Sequence, residues 1–151
     1  ALIDAVLLRD IFVGSRAIWD AGRIRQVVLT RGEPHNIGIS SIGGNLCPIG
    51  AREEKGLCLN FDADRITVAT HIAPGLIMPI KVGAVRTINV GETVAATDGA
   101  GVIALDGERE MEIEAGEKVT IQLTFAGPAV VDVQAALAAA AARGFFLGEK
   151  N

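Results

Sequence analysis

Apolar and polar residues alternate in short runs along much of this chain, broken by apolar runs near the start and by an Ala-rich stretch near the end. Leu57, Leu59 and Phe61 alternate within Gly56–Phe61, and Ile66, Val68 and Thr70 do so within Arg65–Thr70. A period of two is the mark of a half-buried strand. The stretch from Ala1 to Leu8 is apolar except at Asp4 and reads as a buried strand. Ile24–Thr30 reads as a second, with Arg25 and Gln26 as its polar positions. Ile72–Val82 contains Pro74 and Pro79, so only part of it can lie centrally in a sheet. Val85–Val90, Thr93–Thr97, Val102–Leu105, Glu110–Ile113 and Val119–Leu123 follow as further short strands, the later ones separated by Gly99, Gly101, Gly107 and Gly116. Val90-Gly91-Glu92-Thr93-Val94 is echoed by Ala115-Gly116-Glu117-Lys118-Val119, which predicts two similar turns and not a solenoid.

Two segments read as helical. Ser15–Gly22 has room for one or two turns, with Ser15 as N-cap. Asp132 is placed to cap a longer helix running to about Arg143, and Gly144 to close it. Seven of the eight residues Ala135–Ala142 are Ala, the strongest helix former, and Val133, Leu137 and Ala140 or Ala141 are the expected packing stripe. The fold expectation is therefore a mainly β, two-sheet β-sandwich-like domain with a C-terminal α-helix. Residues 1–151 form one β-rich domain, with the terminal helix at 132–144.

Composition narrows the function. With 151 residues, half of them apolar and 21% charged, the chain is long enough for a real core and too apolar for disorder. Its net charge of −4 and lack of a dense basic patch disfavour general nucleic-acid binding. No apolar run is long enough to span a membrane, and a cytoplasmic location is expected. The chain opens on Ala1 and an apolar segment with no charged leader, which reads as a cut within a longer polypeptide. Cys47 and Cys58 have no metal-binding spacing; free, buried thiols are the expectation, with a disulfide as the alternative. His35 and His71 are isolated, and no metal site is expected.

Three segments are candidates for chemistry. Gly38-Ile39-Ser40-Ser41-Ile42-Gly43-Gly44-Asn45 could let a ligand approach the backbone and offers two hydroxyls; a Gly-Gly turn between strands is the other reading. No Lys follows the glycines, so it is not a Walker loop. Leu105-Asp106-Gly107-Glu108 is a hairpin signal first; it also presents two carboxylates, Asp106 and Glu108, at a strand end, where they could serve as catalytic groups or hold Mg²⁺ through water. Asp4, amid apolar residues, must face solvent or find donors, such as an amine or a ribose hydroxyl. His35, in Gly32-Glu33-Pro34-His35-Asn36, could touch a ligand, and Trp19 reads as core or interface.

Taken in order, these segments resemble the C-terminal domain of the ATP-NAD kinase superfamily, in particular its acetoin catabolism protein X or ATP-NAD kinase-like branch, over about Ala1 to Val131. In that family a strand carrying Asn-Asp or Asn-Glu opens the domain; here Asp4 stands at the acidic position and Ile3 where Asn would be. Ser41-Ile42-Gly43-Gly44 is similar to the Ser-Ala-Gly-Gly that ends the family's nucleotide loop. Ile72-Ala73-Pro74-Gly75-Leu76 is similar to its Pro-containing strand entry. Asp106-Gly107 is similar to its last Asp-Gly, which reads Asp-Gly-Glu in related lipid kinases, as Asp106-Gly107-Glu108 does here. Glu33-Pro34-His35-Asn36 replaces the family's Thr-Gly-Ser-Thr, and the Gly-Gly-Asp-Gly motif of the preceding α/β domain is absent.

The resemblance implies the nucleotide-acceptor, NAD-binding half of an ATP-dependent phosphotransferase, with NAD, ATP and Mg²⁺ as the cofactors of the intact protein and NADP as product. Asp4, His35, Ser40, Ser41, Gly43, Gly44, Asp106 and Gly107 are the implied cofactor-binding residues. The isolated chain is expected to be inactive. The implied partners are an N-terminal α/β kinase domain, a nucleotide and further copies of the chain. The alternatives are a non-catalytic NAD(P)-sensing, regulatory or oligomerisation domain, and half of a lipid-kinase-like enzyme.

Overall fold

The structure, a computed structural model, describes residues 3–9, 21–50, 52–96 and 99–148. The expected turns at Ser15–Gly22 and the environment of Trp19 lie largely outside the described residues, apart from a short 3-10 turn at Ala21–Arg23.

Among the described residues ten strands and two α-helices follow in chain order: β1 (Asp4–Leu8), β2 (Ile24–Leu29), α1 (Ile39–Leu46), β3 (Lys55–Asn60), β4 (Ile66–Ala73), β5 (Leu76–Val82), β6 (Ala84–Asn89), β7 (Thr93–Ala95), β8 (Gly101–Leu105), β9 (Arg109–Ile113), β10 (Thr120–Gln122) and α2 (Val133–Ala142). Six strands make one antiparallel sheet in the order β6-β3-β2-β1-β8-β9, while β4 pairs with β5 and β7 with β10. The domain is mainly β and sandwich-like, with a C-terminal helix. No helix among the described residues is long and apolar enough to cross a membrane.

β1, β2 and β3 are central and bury side chains on both faces, which is why their sequences read as nearly continuous apolar runs. On one face Val6, Leu8, Val27, Leu29, Leu57 and Leu59 pack with Ile42 of α1 and with Val68, Ile80 and Val82 of the β4–β5 hairpin. On the other face Val28, Cys58 and Ile88 meet Val94 and Leu123, and Ala5, Leu7 and Ile103 meet Ile113. Pro79 sits opposite Ala69 in the two-stranded hairpin, where a missing amide does not interrupt a central ladder.

The two Gly-Glu turns match atom for atom. Gly91 and Gly116 take positive φ. The amide of Glu92 donates to Asn89 O, and the Glu92 carboxylate accepts from the Asn89 amide at 3.0 Å. Glu117 and Glu114 repeat both bonds, the second at 3.1 Å. Glu92 also pairs with Arg86. The strands these turns flank, β7 and β10, pair with each other over the second face.

Two expectations are corrected. Gly38–Asn45 is not a turn between strands: most of it is α1. The Val133–Leu137 stripe of α2 is not packed, because no residue of that helix is buried. α2 is otherwise built as expected: Asp132 accepts from the Ala135 amide at 3.0 Å, and Gly144 takes φ 72° beyond the last turn.

Candidate functional site

The chemistry gathers at the end of the sheet where β1 begins. The Asp106-Gly107 pair joins β8 to β9, with φ of 51° and 67° at its two central residues and the Glu108 amide donating to Leu105 O at 3.0 Å. Two successive left-handed residues make the hairpin turn whose twist suits the strands, and Asp-Gly is its favoured pair. This turn carries the Asp106 carboxylate back over β1. Its Oδ1 accepts from the Ile3 amide at 2.6 Å and from the Asp4 amide at 2.9 Å. The Asp106 amide in turn donates to the Asp4 carbonyl at 3.1 Å. Asp106 thus fixes the start of β1.

Asp4 shares its face of β1 with Val6 and Leu8 and stands opposite Leu29 of β2. Burial is the main force raising its pKa, the negative charge of Asp106 adds to it, and the Asp106 amide partly offsets both; the result is about 6. A carboxyl that titrates close to neutrality can accept a hydroxyl proton in a hydrogen bond or exchange one.

Leu29 links Asp4 to α1. A Cβ on Gly43 would collide with the Leu29 side chain and press on Leu57, while one on Gly44 would run into the backbone of Glu33. Gly32 has no room for a Cβ beside Gly44 and Ser40. The paired glycines therefore let the chain after β2 lie directly on α1. Both glycines face protein, and their close approach is to protein backbone and Leu29. Ser41 is fully buried, and its hydroxyl donates to Gly38 O at 2.7 Å and can reach His71 O at 3.2 Å. Ser40 is half-buried, and no hydrogen bond of its hydroxyl is found among the described residues.

The other candidates are dispersed. His35 is exposed and lies 3.6 Å from the Glu33 carboxylate. Glu108 and Gly107 are exposed at the tip of the turn. Cys47 and Cys58 are free, as expected, with Cys58 buried and Cys47 half-buried. Burial pushes the Cys58 thiol up. Among the described residues no group of three His, Cys, Asp or Glu side chains could hold a metal ion.

Acetoin catabolism protein X C-terminal domain is the family whose model matches, over residues 1–126. The chain belongs to this family. Acetoin catabolism protein X of Cupriavidus necator is 36% identical over 126 residues, 82% of this chain and 35% of the relative. The chain therefore spans about a third of the length of this curated relative. No solved structure matches it.

Within this family domain, Asp4 and Asp106 come together in direct contact, and both Asp4 and Gly43 neighbour Leu29, Asp4 through strand register and Gly43 through the Leu29 side chain. A cavity of about 500 Å³ lies at the opposite end of β1, lined by residues that include Arg9, Ile24, Phe61, Asp62 and Lys81. It does not include the Asp4 region. Sequence reasoning passed over Arg31, which follows Thr30 where the Thr30 amide donates to Ile3 O. Its Nε is buried without a hydrogen-bond partner among the described residues. The available signal was position: Arg31 lies two residues beyond Leu29, a charged residue immediately after a buried strand.

Proposed function

We propose that this family domain is the acceptor-nucleotide half of an NAD-kinase-like phosphotransferase, and that Asp4 binds a ribose hydroxyl of the nucleotide. The observation that carries the reading is the Asp4 carboxyl, raised to a pKa of about 6 and anchored by the Asp106 turn. Above that pH it is ionised and acceptor-only, which suits a hydroxyl donor. Asp106 acts as a positioning residue, since one of its oxygens is committed to two β1 amides. Arg31 is one of the cations at the same end of the sheet, suited to an anionic group of the nucleotide.

The fit to the three cofactors differs. The ribose of NAD suits Asp4. Mg²⁺ lacks a three-ligand set among the described residues, and the phosphates of ATP lack a glycine cradle, because Gly43 and Gly44 face protein. Phosphoryl transfer in the intact protein therefore requires groups from outside the described residues. The chain alone is expected to bind NAD and to form no NADP from NAD and ATP.

Titration of the chain with NAD, followed by calorimetry or amide chemical shifts, tests this reading. Saturable binding that weakens at least about tenfold in Asp4→Ala is expected. Absence of binding, or binding indifferent to Asp4, overturns it. NADP formation by the isolated chain would overturn the assignment to half of an enzyme. A non-catalytic NAD(P)-sensing role is the second reading, favoured by the packing of Gly43 and Gly44 into a helix. NAD binding without turnover by the full-length protein distinguishes it.

A further inference from the structure

The family match ends at residue 126, and the described chain runs on to residue 148. This tail is separate from the core: the buried apolar side chains of the described residues all lie between Ala5 and Leu123. It is nonetheless a built element, capped by Asp132 and ended at Gly144, and tied to the body by the Arg52–Asp132 ion pair at 2.6 Å. Val133, Leu137 and Ala141 stand four apart and share one helix face. Phe145, Phe146 and Leu147 follow it, each more than 60% exposed.

An apolar surface of this extent requires a cover. The large apolar side chains of residues 130–147 together offer on the order of 800 Å², about what one partner contributes to a standard-size interface. Surfaces of monomers rarely leave a contiguous apolar area of that size in water, and seven exposed large apolar side chains fall within these eighteen residues. The charges say what fits. Asp132 flanks α2 at its N-terminus, Arg143 flanks it at its C-terminus, and the ten residues between them carry no charge. A second α2 laid antiparallel brings the Arg143 of each copy to the Asp132 of the other, which is then shared with Arg52, and opposes the helix dipoles. Leu137 stands midway between Val133 and Ala141, at the middle of the helix, so it falls at the centre of such a pair. The Ala residues on either side let the two axes come close.

We propose that two copies of this chain associate through α2, antiparallel about a twofold axis passing beside Leu137. The contact is isologous, each copy presenting the same stripe. It is independent of the nucleotide reading.

Sedimentation of the whole chain across micromolar concentrations, together with the Leu137→Glu variant, tests the contact. Because α2 adds nothing to the core, the variant is expected to fold, with its far-UV circular dichroism and main unfolding transition as the check. Wild type is expected to sediment as a dimer, and Leu137→Glu to weaken it about a hundredfold, since two buried leucines are lost per dimer. Leu137→Cys is expected to cross-link to its own counterpart under mild copper–phenanthroline oxidation. Ala139→Cys, on the opposite helix face, is expected to remain at the wild-type level. A monomeric wild type assigns the tail to a different occupant and overturns the proposal. A dimer untouched by Leu137→Glu, or a Leu137→Cys variant that fails to cross-link, overturns it equally.

Discussion

α1 contains two serines and two adjacent glycines in eight residues, whereas seven of the ten residues of α2 are alanine. By intrinsic propensity the first should not be a helix and the second should be nothing else. Both are helical, for different reasons. α1 has Gly38 at its N-cap and no side-chain cap bond, but four of its residues are buried, and it is held between Leu29, Leu57 and the β4–β5 hairpin. α2 is capped and locally favoured, and buries nothing within the chain. Propensity and burial are independent sources of helix stability, and here each acts nearly alone. The glycines that weaken α1 as a peptide are what allow it to touch the chain after β2.

The sharpest way to break the comparison is to improve α1 locally. Gly44→Ala raises helix propensity but places a Cβ against the backbone of Glu33. It is expected to destabilise the domain by about 3 kcal/mol in urea unfolding. Ala139→Gly in α2 is the counterpart and should leave the main transition unmoved, its cost of about 1 kcal/mol being confined to the helix.

The Asp106 turn extends the tertiary side of the contrast. Asp106→Ala removes the acceptor of the Ile3 and Asp4 amides and puts Ala at a φ of 51°. A loss of about 2 kcal/mol is expected, measured by urea unfolding. Asp106→Asn, which keeps an acceptor and tolerates the left-handed region, should lose less. Both should lower the pKa of Asp4 in a carboxyl-detected NMR titration, because the neighbouring negative charge is gone.

Asp4 supplies a pH signature. Its folded pKa of about 6 lies above its ordinary 3.8, so the native state binds the proton more tightly than the unfolded chain does. This contribution to stability is full below about pH 4 and is lost as pH rises through 6. Asp4→Asn should therefore gain on wild type as pH rises from 4 to 7, by about 1–2 kcal/mol after allowing for partial exposure. Unfolding at both pH values checks the sign. The smallest effect belongs to the local helix. Asp132→Ala should remove about 1 kcal/mol from α2, seen as lost helical ellipticity with the core transition unchanged.

The strands were legible from a period of two where one face is exposed, and from short apolar runs bounded by turn residues where both faces are buried. The Asp106-Gly107 hairpin and the two Gly-Glu turns were legible because left-handed backbone and carboxylate-to-amide closure are local requirements, met within four residues. α1 was not. Gly and Ser in Gly38–Asn45 carry the signature of a loop, and nothing in the segment announces Leu29, Leu57 or Glu33 as neighbours. Asp4 could be flagged as an oddity in an apolar run, but its partner lies about a hundred residues away, beyond the reach of any window. Arg31 carried no motif; only its buried, unpartnered Nε marks it.

The sequence by itself determined where the chain turns, which segments extend, and that the last helix is capped by Asp132 and ended at Gly144, since each of these rests on interactions among near neighbours. Only the tertiary structure decided that a glycine-serine segment becomes a buried helix, and that the Asp106 carboxylate reaches the amides beside Asp4. It also left the Val133–Leu137 stripe uncovered by its own domain. These outcomes depend on surfaces that meet only after the strands have paired, and burial and charge act through space without regard to chain order.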